Sequence, residues 1–445
     1  MLIGLDIGTS SVKGILTSND GKIIKTAHED FDYTYLANGG VEISAEKYIT
    51  ACFDAIRELS KGQENIDGFC ASSASGNLLV LDKDNKPSTP IYNWQDTRVK
   101  TEAKEVLGEL DLAELKLQMG WPFSYDSMPL ALLCYVKKHN PEKIQNCGMV
   151  CMSTEYLYYR LTGKWGISTS AGTPFYLIDQ RTGAYISEIL EKLDIAEEKL
   201  PPIMECGTVL GNSTKEAEKL CGLKENTPIV LGSFDHPSAA RGVGILNEGE
   251  MLLSCGTSWV AFMPVMDRGR VENEPIALTD PFLFSKGGAW ATMVSVESVS
   301  QRIELYAKTF IDDSDKYYEP LSNLAKGNSS EGLVLCLTDE PDDSKVIGFS
   351  KENIARAIME GAAYLLKDKI ELLNGFGLSA TKAVMVGGPS SNPLWIEIIS
   401  EICNLEVTVR HGKYAGAVGA AILSGIGTGF FKDEKDAAKV FNGGM

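Results

Sequence analysis

The sequence predicts a mixed α/β fold of two similar domains with a central cleft between them. Three observations point there. Strand patterns and helix patterns are mixed along the chain. A strand, Gly-Thr-Ser turn, strand signature occurs twice, just over half the chain apart. The length of 445 residues exceeds a single domain of roughly 100–200 residues, so two or three are expected.

The elements follow in order. Ile3, Leu5 and Ile7 alternate with Gly4, Asp6 and Gly8, the two-residue period of a strand with one apolar face. Gly8-Thr9-Ser10-Ser11 turns the chain, residues 12–17 return as a strand, and Asn19-Asp20-Gly21 turns it again. Residues 45–60 read as a helix with Tyr48, Cys52, Ala55 and Leu59 on one face, and residues 66–71 and 77–82 as strands. Residues 251–262 restart the pattern. There Leu253-Ser254-Cys255-Gly256-Thr257-Ser258-Trp259-Val260 lies against Leu5-Asp6-Ile7-Gly8-Thr9-Ser10-Ser11-Val12. Internal duplication accounts for the match; so does chance recurrence of a common turn tripeptide. Ser350 is expected to cap a helix to about Leu373, closed by Asn374-Gly375, with Ile354, Ile358, Leu365 and Leu366 as its buried stripe. Residues 383–386 form a short strand into Gly387-Gly388, and Asn392 caps a helix with Pro393 at its first position. Residues 415–423 form a small-residue helix suited to close packing. The domain boundary is placed at 229/230, giving domains 1–229 and 230–445.

Composition narrows the function classes. Apolar residues make up 44% and charged residues 23%, as in ordinary globular proteins. The N-terminal MLIGLDIGTS lacks a basic region and carries Asp6 inside its apolar run, so it reads as a strand rather than a signal peptide. No apolar run approaches the ~18–20 residues of a membrane span. A cytoplasmic protein is expected, with its ten cysteines reduced and mostly buried. With four histidines and no HExxH, a zinc site has little basis. The net charge of −18, from 42 basic and 60 acidic residues, disfavours nucleic acid and anionic membranes as partners. It does not exclude a nucleotide. Screening over about 8 Å in physiological salt leaves phosphate binding to local amides, a lysine and Mg²⁺.

Four segments carry chemistry. Gly8-Thr9-Ser10-Ser11-Val12-Lys13 is a tip of small residues exposing N–H groups and hydroxyls beside a lysine, which suits phosphate, though an ordinary turn with a surface lysine reads the same way. Asp6, on the strand face opposite the apolar one, points toward the cleft and suits a Mg²⁺-bound water. Gly232-Ser233-Phe234-Asp235-His236 brings an aspartate to the end of an apolar strand. There it either accepts a hydroxyl proton or caps a helix beginning at Pro237. Gly387-Gly388-Pro389-Ser390-Ser391-Asn392 lets a flat ligand approach the backbone, or is a plain strand–helix loop. Trp94-Gln95-Asp96-Thr97-Arg98 sets a ring, an acceptor and a forked donor within five residues. It grips a polyhydroxylated substrate or forms a turn with a local ion pair. No GxxxxGK[ST] occurs, and no GxGxxG opens a βαβ unit, so phosphate chemistry must rest on another architecture.

Taken in order, these segments resemble the FGGY family of carbohydrate kinases, within the actin-like ATPase superfamily. GLDIGTSSVKGIL, IYNWQDTR, STEYLYYRLTG, GSFDHPSAA, LSCGTSWVAF, AVMVGGPSSNPLWIEIISEICNLEV and GAVGAAILSGIGTG carry the resemblance over nearly the whole chain. It implies two ribonuclease-H-like domains, the first binding sugar and the second ATP. It implies ATP-dependent phosphorylation of a small sugar or polyol, a ketopentose such as xylulose first, with Mg²⁺. By the same resemblance Asp235 is the catalytic base. Thr9, Ser10, Lys13, Gly256 and Thr257 lie near the phosphates, and Gly388 and Asn392 near adenosine. Asn77, Trp94, Asp96, Arg98 and His236 face the sugar, and Asp6 and Asp235 face the metal through water. Many members carry Met-His where this chain has Ser75-Gly76-Asn77, and a longer insert where it has GLVLCLTDEPDDSKVIGFS. Dimers are common among members, which leaves a homodimer open. The other readings are an ATP-binding regulator or ATPase of the same superfamily without a sugar acceptor, and a filament protein.

Overall fold

The computed structural model describes residues 1–74, 76–126, 128–283 and 287–443. Ser75, singled out above, lies outside the described residues. The chain divides into two compact units: Met1–Leu246 with Asp267–Trp290 and Tyr414–Met445, and Asn247–Met266 with Ala291–Lys413. The 229/230 boundary stays a proposal about sequence modules. Packing returns the last segment to the first unit.

The first unit is built on strands β1 (Leu2–Ile7), β2 (Ser11–Thr17), β3 (Ile23–Asp30), β4 (Gly68–Ser73), β5 (Val209–Asn212) and β6 (Pro228–Val230), in the sheet order β5-β6-β4-β1-β2-β3. Strands β1 and β2 are antiparallel, while β1, β4 and β6 are parallel. Alternation along β1 splits its side chains between two faces. Ile3, Leu5 and Ile7 join a core with Tyr48, Cys52, Ala55, Ile56 and Leu59 of helix α1 (Ala45–Ser60). Leu2 on the other face joins a second core. The period-2 pattern anticipated one apolar face and one open face. Instead, both are covered, because Gly4 admits a helix: a Cβ added there would fall 2.0 Å from the Ala417 carbonyl oxygen.

Four helices complete the frame used below: α2 (Ser153–Thr162), α3 (Asp235–Val243), α4 (Lys351–Gly375) and α5 (Pro393–Cys403). Two more, α6 (Ala415–Gly427) and α7 (Glu434–Phe441), bring the chain back to the first unit. Helix α6 packs on β1 and on α3 through glycines whose added Cβ atoms would strike backbone: Gly419 would meet Ser238 O at 1.8 Å and Gly242 would meet Ala415 O at 2.0 Å.

In the second unit β7 (Glu250–Cys255), β8 (Trp259–Val265), β9 (Trp290–Val296), β10 (Lys382–Gly387) and β11 (Glu406–Val409) run in the order β9-β8-β7-β10-β11. Strands β7 and β8 are antiparallel and β7 and β10 parallel, as β1 is to β2 and to β4. The tips differ by one residue: Gly8 N–H donates to Ser11 O at 2.9 Å, whereas Gly256 N–H donates to Ser258 O at 3.1 Å. The shared strand pairing still makes duplication the better account of the repeated signature. Ser350 caps α4 as expected, its Oγ accepting from Asn353 N at 3.2 Å, though Leu365 is only half-buried. No helix among the described residues is long and apolar enough to cross a membrane.

Candidate active site

The first unit gathers carboxylates, a lysine and hydroxyls at the ends of its central strands. Asp6 lies beside Lys13 in the β1–β2 register and beside Ser72 in the β1–β4 register. Ser72 Oγ donates to Asp6 Oδ1 at 3.3 Å. Across from it stands the first turn of α6, so close that a Cβ on Gly416 would fall 2.5 Å from the Asp6 carboxyl. The exposed N–H groups of a helix start favour a negative charge there. Burial nevertheless pushes the Asp6 carboxyl up to about 6, with the negative charge of Asp235 adding to it and Lys13 and Ser72 opposing it. Asp6 and Asp235 therefore sense each other.

Asp235 is delivered by the chain leaving β6. Gly232 is needed on the way, since a Cβ there would lie 2.0 Å from Ala71 O. Helix α3 starts at Asp235 itself with Phe234 at the cap, which corrects the reading of Asp235 as cap of a helix beginning at Pro237. Its Oδ1 accepts only the adjacent His236 N–H, at 2.8 Å, among the hydrogen bonds described, and its side chain stays 34% exposed. An accessible carboxylate without a capping duty is free to meet a substrate hydroxyl. The His236 ring packs on Phe234, which stands edge-on to Trp121.

Trp94 sits next to the hairpin tip, its Nε1 donating to Thr9 Oγ1 at 3.4 Å. The segment around it holds the local ion pair of the alternative reading, buried rather than on an open surface. Asp96 is fully buried and accepts from Val41 N at 2.8 Å, Arg98 Nε at 2.9 Å and Arg98 Nη2 at 2.7 Å. Arg98 also reaches Glu42 at 2.8 Å and stacks over Tyr92. This pair shapes the loop that presents Trp94. Asn77 is buried as well, its Oδ1 accepting from Ser153 N at 2.7 Å and its Nδ2 donating to Ala74 O at 3.4 Å. Ser10 is exposed at the tip, where its carbonyl holds Phe31 N–H.

The second unit carries the other expected residues. Cys255 and Gly387 pair across β7 and β10, so Gly256-Thr257 and Gly388 leave adjacent strand ends. Gly387 has φ of 95° and no room for a side chain, a Cβ there lying 2.1 Å from Cys255 O. Ser300 Oγ holds Gly256 O at 2.7 Å. Asn392 caps α5 through Leu394 N at 3.0 Å and donates to Ser322 Oγ. Among the described residues no group of three or more His, Cys, Asp or Glu could hold a metal ion. The Asp6–Asp235 pair fits Mg²⁺ that arrives on phosphates, because that ion takes one or two carboxylates and keeps waters.

The family model for the FGGY family of carbohydrate kinases, N-terminal domain, matches residues 1–242, and that for its C-terminal domain matches residues 332–428. The chain belongs to this family. This FGGY kinase is 26% identical to the xylulose kinase of Bacillus subtilis (strain 168), an alignment covering 99% of this chain and 91% of the relative. Its fold is that of the xylulose kinase from Rhodospirillum rubrum, with a TM-score of 0.85 at 22% identity over 98% of this chain and 91% of that one. It also matches the gluconate kinase from Lactobacillus acidophilus, with a TM-score of 0.85 at 20% identity over 99% and 91%. The chain is thus a sugar phosphotransferase, and membership of the family implies ATP as its phosphoryl donor.

Beside the candidate residues lie others that motif reading passed over. Ser72 touches Asp6 directly, and the run of small residues Ala71-Ser72-Ser73 inside a strand was the signal. Gly416 lies within a stretch recognised only as a packing helix. Trp121 gave no signal, since a lone aromatic in a sequence reads as core, and Phe234 was given no role within the Gly232–His236 segment.

Proposed function

We propose that this kinase phosphorylates a hydroxyl of a ketopentose, xylulose first, with Asp235 as the base. One observation carries the catalytic part: Asp235 is a partly exposed carboxylate at a helix start whose described polar contacts are to the adjacent His236 alone, held within electrostatic reach of Asp6. The sugar hydroxyl donates its hydrogen bond to Asp235. Its proton passes to that carboxylate as the oxygen attacks the γ-phosphorus, and ADP leaves. In the first unit Thr9, Ser10 and Lys13 offer N–H, hydroxyl and ammonium donors to phosphate, and in the second unit Gly256 and Thr257 offer N–H and hydroxyl donors. Gly388 and Asn392 form the floor for adenosine. Trp94 lends a flat apolar face to the sugar, with His236 and Asn77 as polar neighbours and the Asp96–Arg98 pair fixing the loop. Mg²⁺, held through water by Asp6 and Asp235, would offset phosphate charge. A cytoplasmic location belongs to the same proposal. The name of the Bacillus subtilis relative, aligned along nearly the whole chain, supports xylulose.

ADP release is to be measured with D-xylulose, D-ribulose, D-gluconate and glycerol at equal concentrations. The highest kcat/KM is expected for D-xylulose, and a clear preference for D-gluconate or glycerol overturns the choice of sugar. Asp235→Ala should lower kcat about 10²–10⁴-fold. A kcat close to wild type removes Asp235 from the mechanism.

A further inference from the structure

We propose that Tyr158 is a positioning residue for phosphoryl transfer, locking a one-residue bulge in the chain that delivers Asp235. This rests on Asp235 being the base. The bulge is visible in the register. Strands β6 and β4 pair with Val230 opposite Cys70, while further on Phe234 bridges Ser73. Between those pairs the β6 side has one residue more than the β4 side. Such an insertion breaks the ladder, leaves backbone groups to be satisfied, and re-aims the side chains that follow it.

The orphaned groups converge on one atom. Gly232 N–H donates to Tyr158 Oη at 3.0 Å, and Ala71 N–H donates to it at 3.3 Å. The same hydroxyl donates to Ala71 O at 2.8 Å. One donor and two acceptor positions are all a phenol has, so its capacity is spent on this gap. Tyr158 projects from α2 and is buried. The other side of the bulge is held by Ser168, whose Oγ donates to Gly232 O at 2.6 Å. Gly232 is thus gripped by its N–H and its C=O, three residues before Asp235. Ala71 is the neighbour of Ser72, which contacts Asp6. One hydroxyl therefore ties the strand behind Asp6 to the turn carrying Asp235.

The side-chain period of a strand makes a one-residue slip swing every following side chain to the opposite face. Loosening the bulge should therefore misdirect Asp235, and His236 after it, while leaving the Thr9–Lys13 tip and Trp94 in place. Tyr158→Phe keeps the ring and its packing but opens the gap. The expected result is a kcat about tenfold lower, with KM for ATP within about twofold of wild type. A structural role alone would also lower activity, so the deciding measurement is a double-mutant cycle with Asp235→Ala. If Tyr158 acts through Asp235, Tyr158→Phe costs nothing further in the Asp235→Ala background. Unchanged kcat in Tyr158→Phe, or a full tenfold loss repeated in the Asp235→Ala background, overturns the proposal. Should Tyr158→Phe fail to fold, Ser168→Ala carries the same cycle, with the same two outcomes. The two readings fail separately: an active Asp235→Ala enzyme ends the base assignment, whereas a dead Asp235→Ala enzyme beside a fully active Tyr158→Phe enzyme ends only the role of Tyr158.

Discussion

Glu155, in the first turn of α2, places Oε2 3.0 Å from the Met152 N–H, while Oε1 has no hydrogen-bond partner among the described residues. The residue is 1% exposed, and that burial pushes its carboxyl from 4.5 up to about 7. The folded protein then holds this proton more tightly than the unfolded chain does. The contribution to stability is complete below about pH 4.5, fades as pH rises, and is lost above about pH 7. A shift of this size is worth at most about 3 kcal/mol. Glu155→Gln keeps the shape and the acceptor for Met152 and removes the titration. Its urea midpoint should gain on wild type between pH 5 and pH 8, and a gap that stays constant refutes the assignment. Single residues also show where sequence reading stops. Asp96 and Arg98 were visible as a pair with binding chemistry, but their engagement of Val41 and Glu42 spans more than fifty residues, a contact no local motif encodes.

At the level of elements, α3, α6 and β1 form one assembly, and its spacing sets where Asp6 and Asp235 stand. The helix axes approach closely because Gly242 and Gly419 carry no side chain at the crossing. Gly419→Ala would drive a methyl group into the Ser238 carbonyl, with no flexible side chain to yield. A loss of about 1–3 kcal/mol is expected, read as a lower urea midpoint. Gly375→Ala is the contrast, since its added Cβ meets nothing within 4 Å. At the last position of α4 it should be neutral or gain up to about 1 kcal/mol. Equal effects of the two substitutions would show that the crossing is looser than these close approaches require. The hairpins, the Ser350 and Asn392 caps and the small-residue helix were all legible, because each depends on residues within a few positions of one another. The partner of that helix was not. Small residues at helical spacing announce a close approach without saying what approaches, and the bulge before Asp235 shows only when two strands are laid side by side.

For the whole molecule, the repeated signature made the duplication legible, whereas the return of the last segment to the first unit depends on contacts spanning the full chain. That return is more than a tether. Ala417, Val418, Ala421, Ile422, Phe431, Ala437 and Phe441 form one core with Leu2 and Ile15, and Ala420 and Leu423 form another with Cys70 and Val230. Arg241 of α3 meets Glu434 of α7 at 3.4 Å, both buried. Burying a large aliphatic or aromatic side chain is worth roughly 1.5–3 kcal/mol, so Val418, Ile422, Leu423, Phe431 and Phe441 together supply on the order of 10 kcal/mol as an upper bound. A typical net stability is about 5–15 kcal/mol. A chain ending at Lys413 would leave one face of the β5-β6-β4-β1-β2-β3 sheet bare and Arg241 a buried cation without Glu434. That chain should therefore be recovered insoluble, or without a cooperative thermal transition, despite containing the hairpin, Trp94 and Asp235. Supplying residues 414–443 as a separate peptide during refolding should restore both the transition and part of the kinase activity. A Lys413-terminated chain that melts like the full-length protein would mean that the first unit holds its sheet together without α6 and α7.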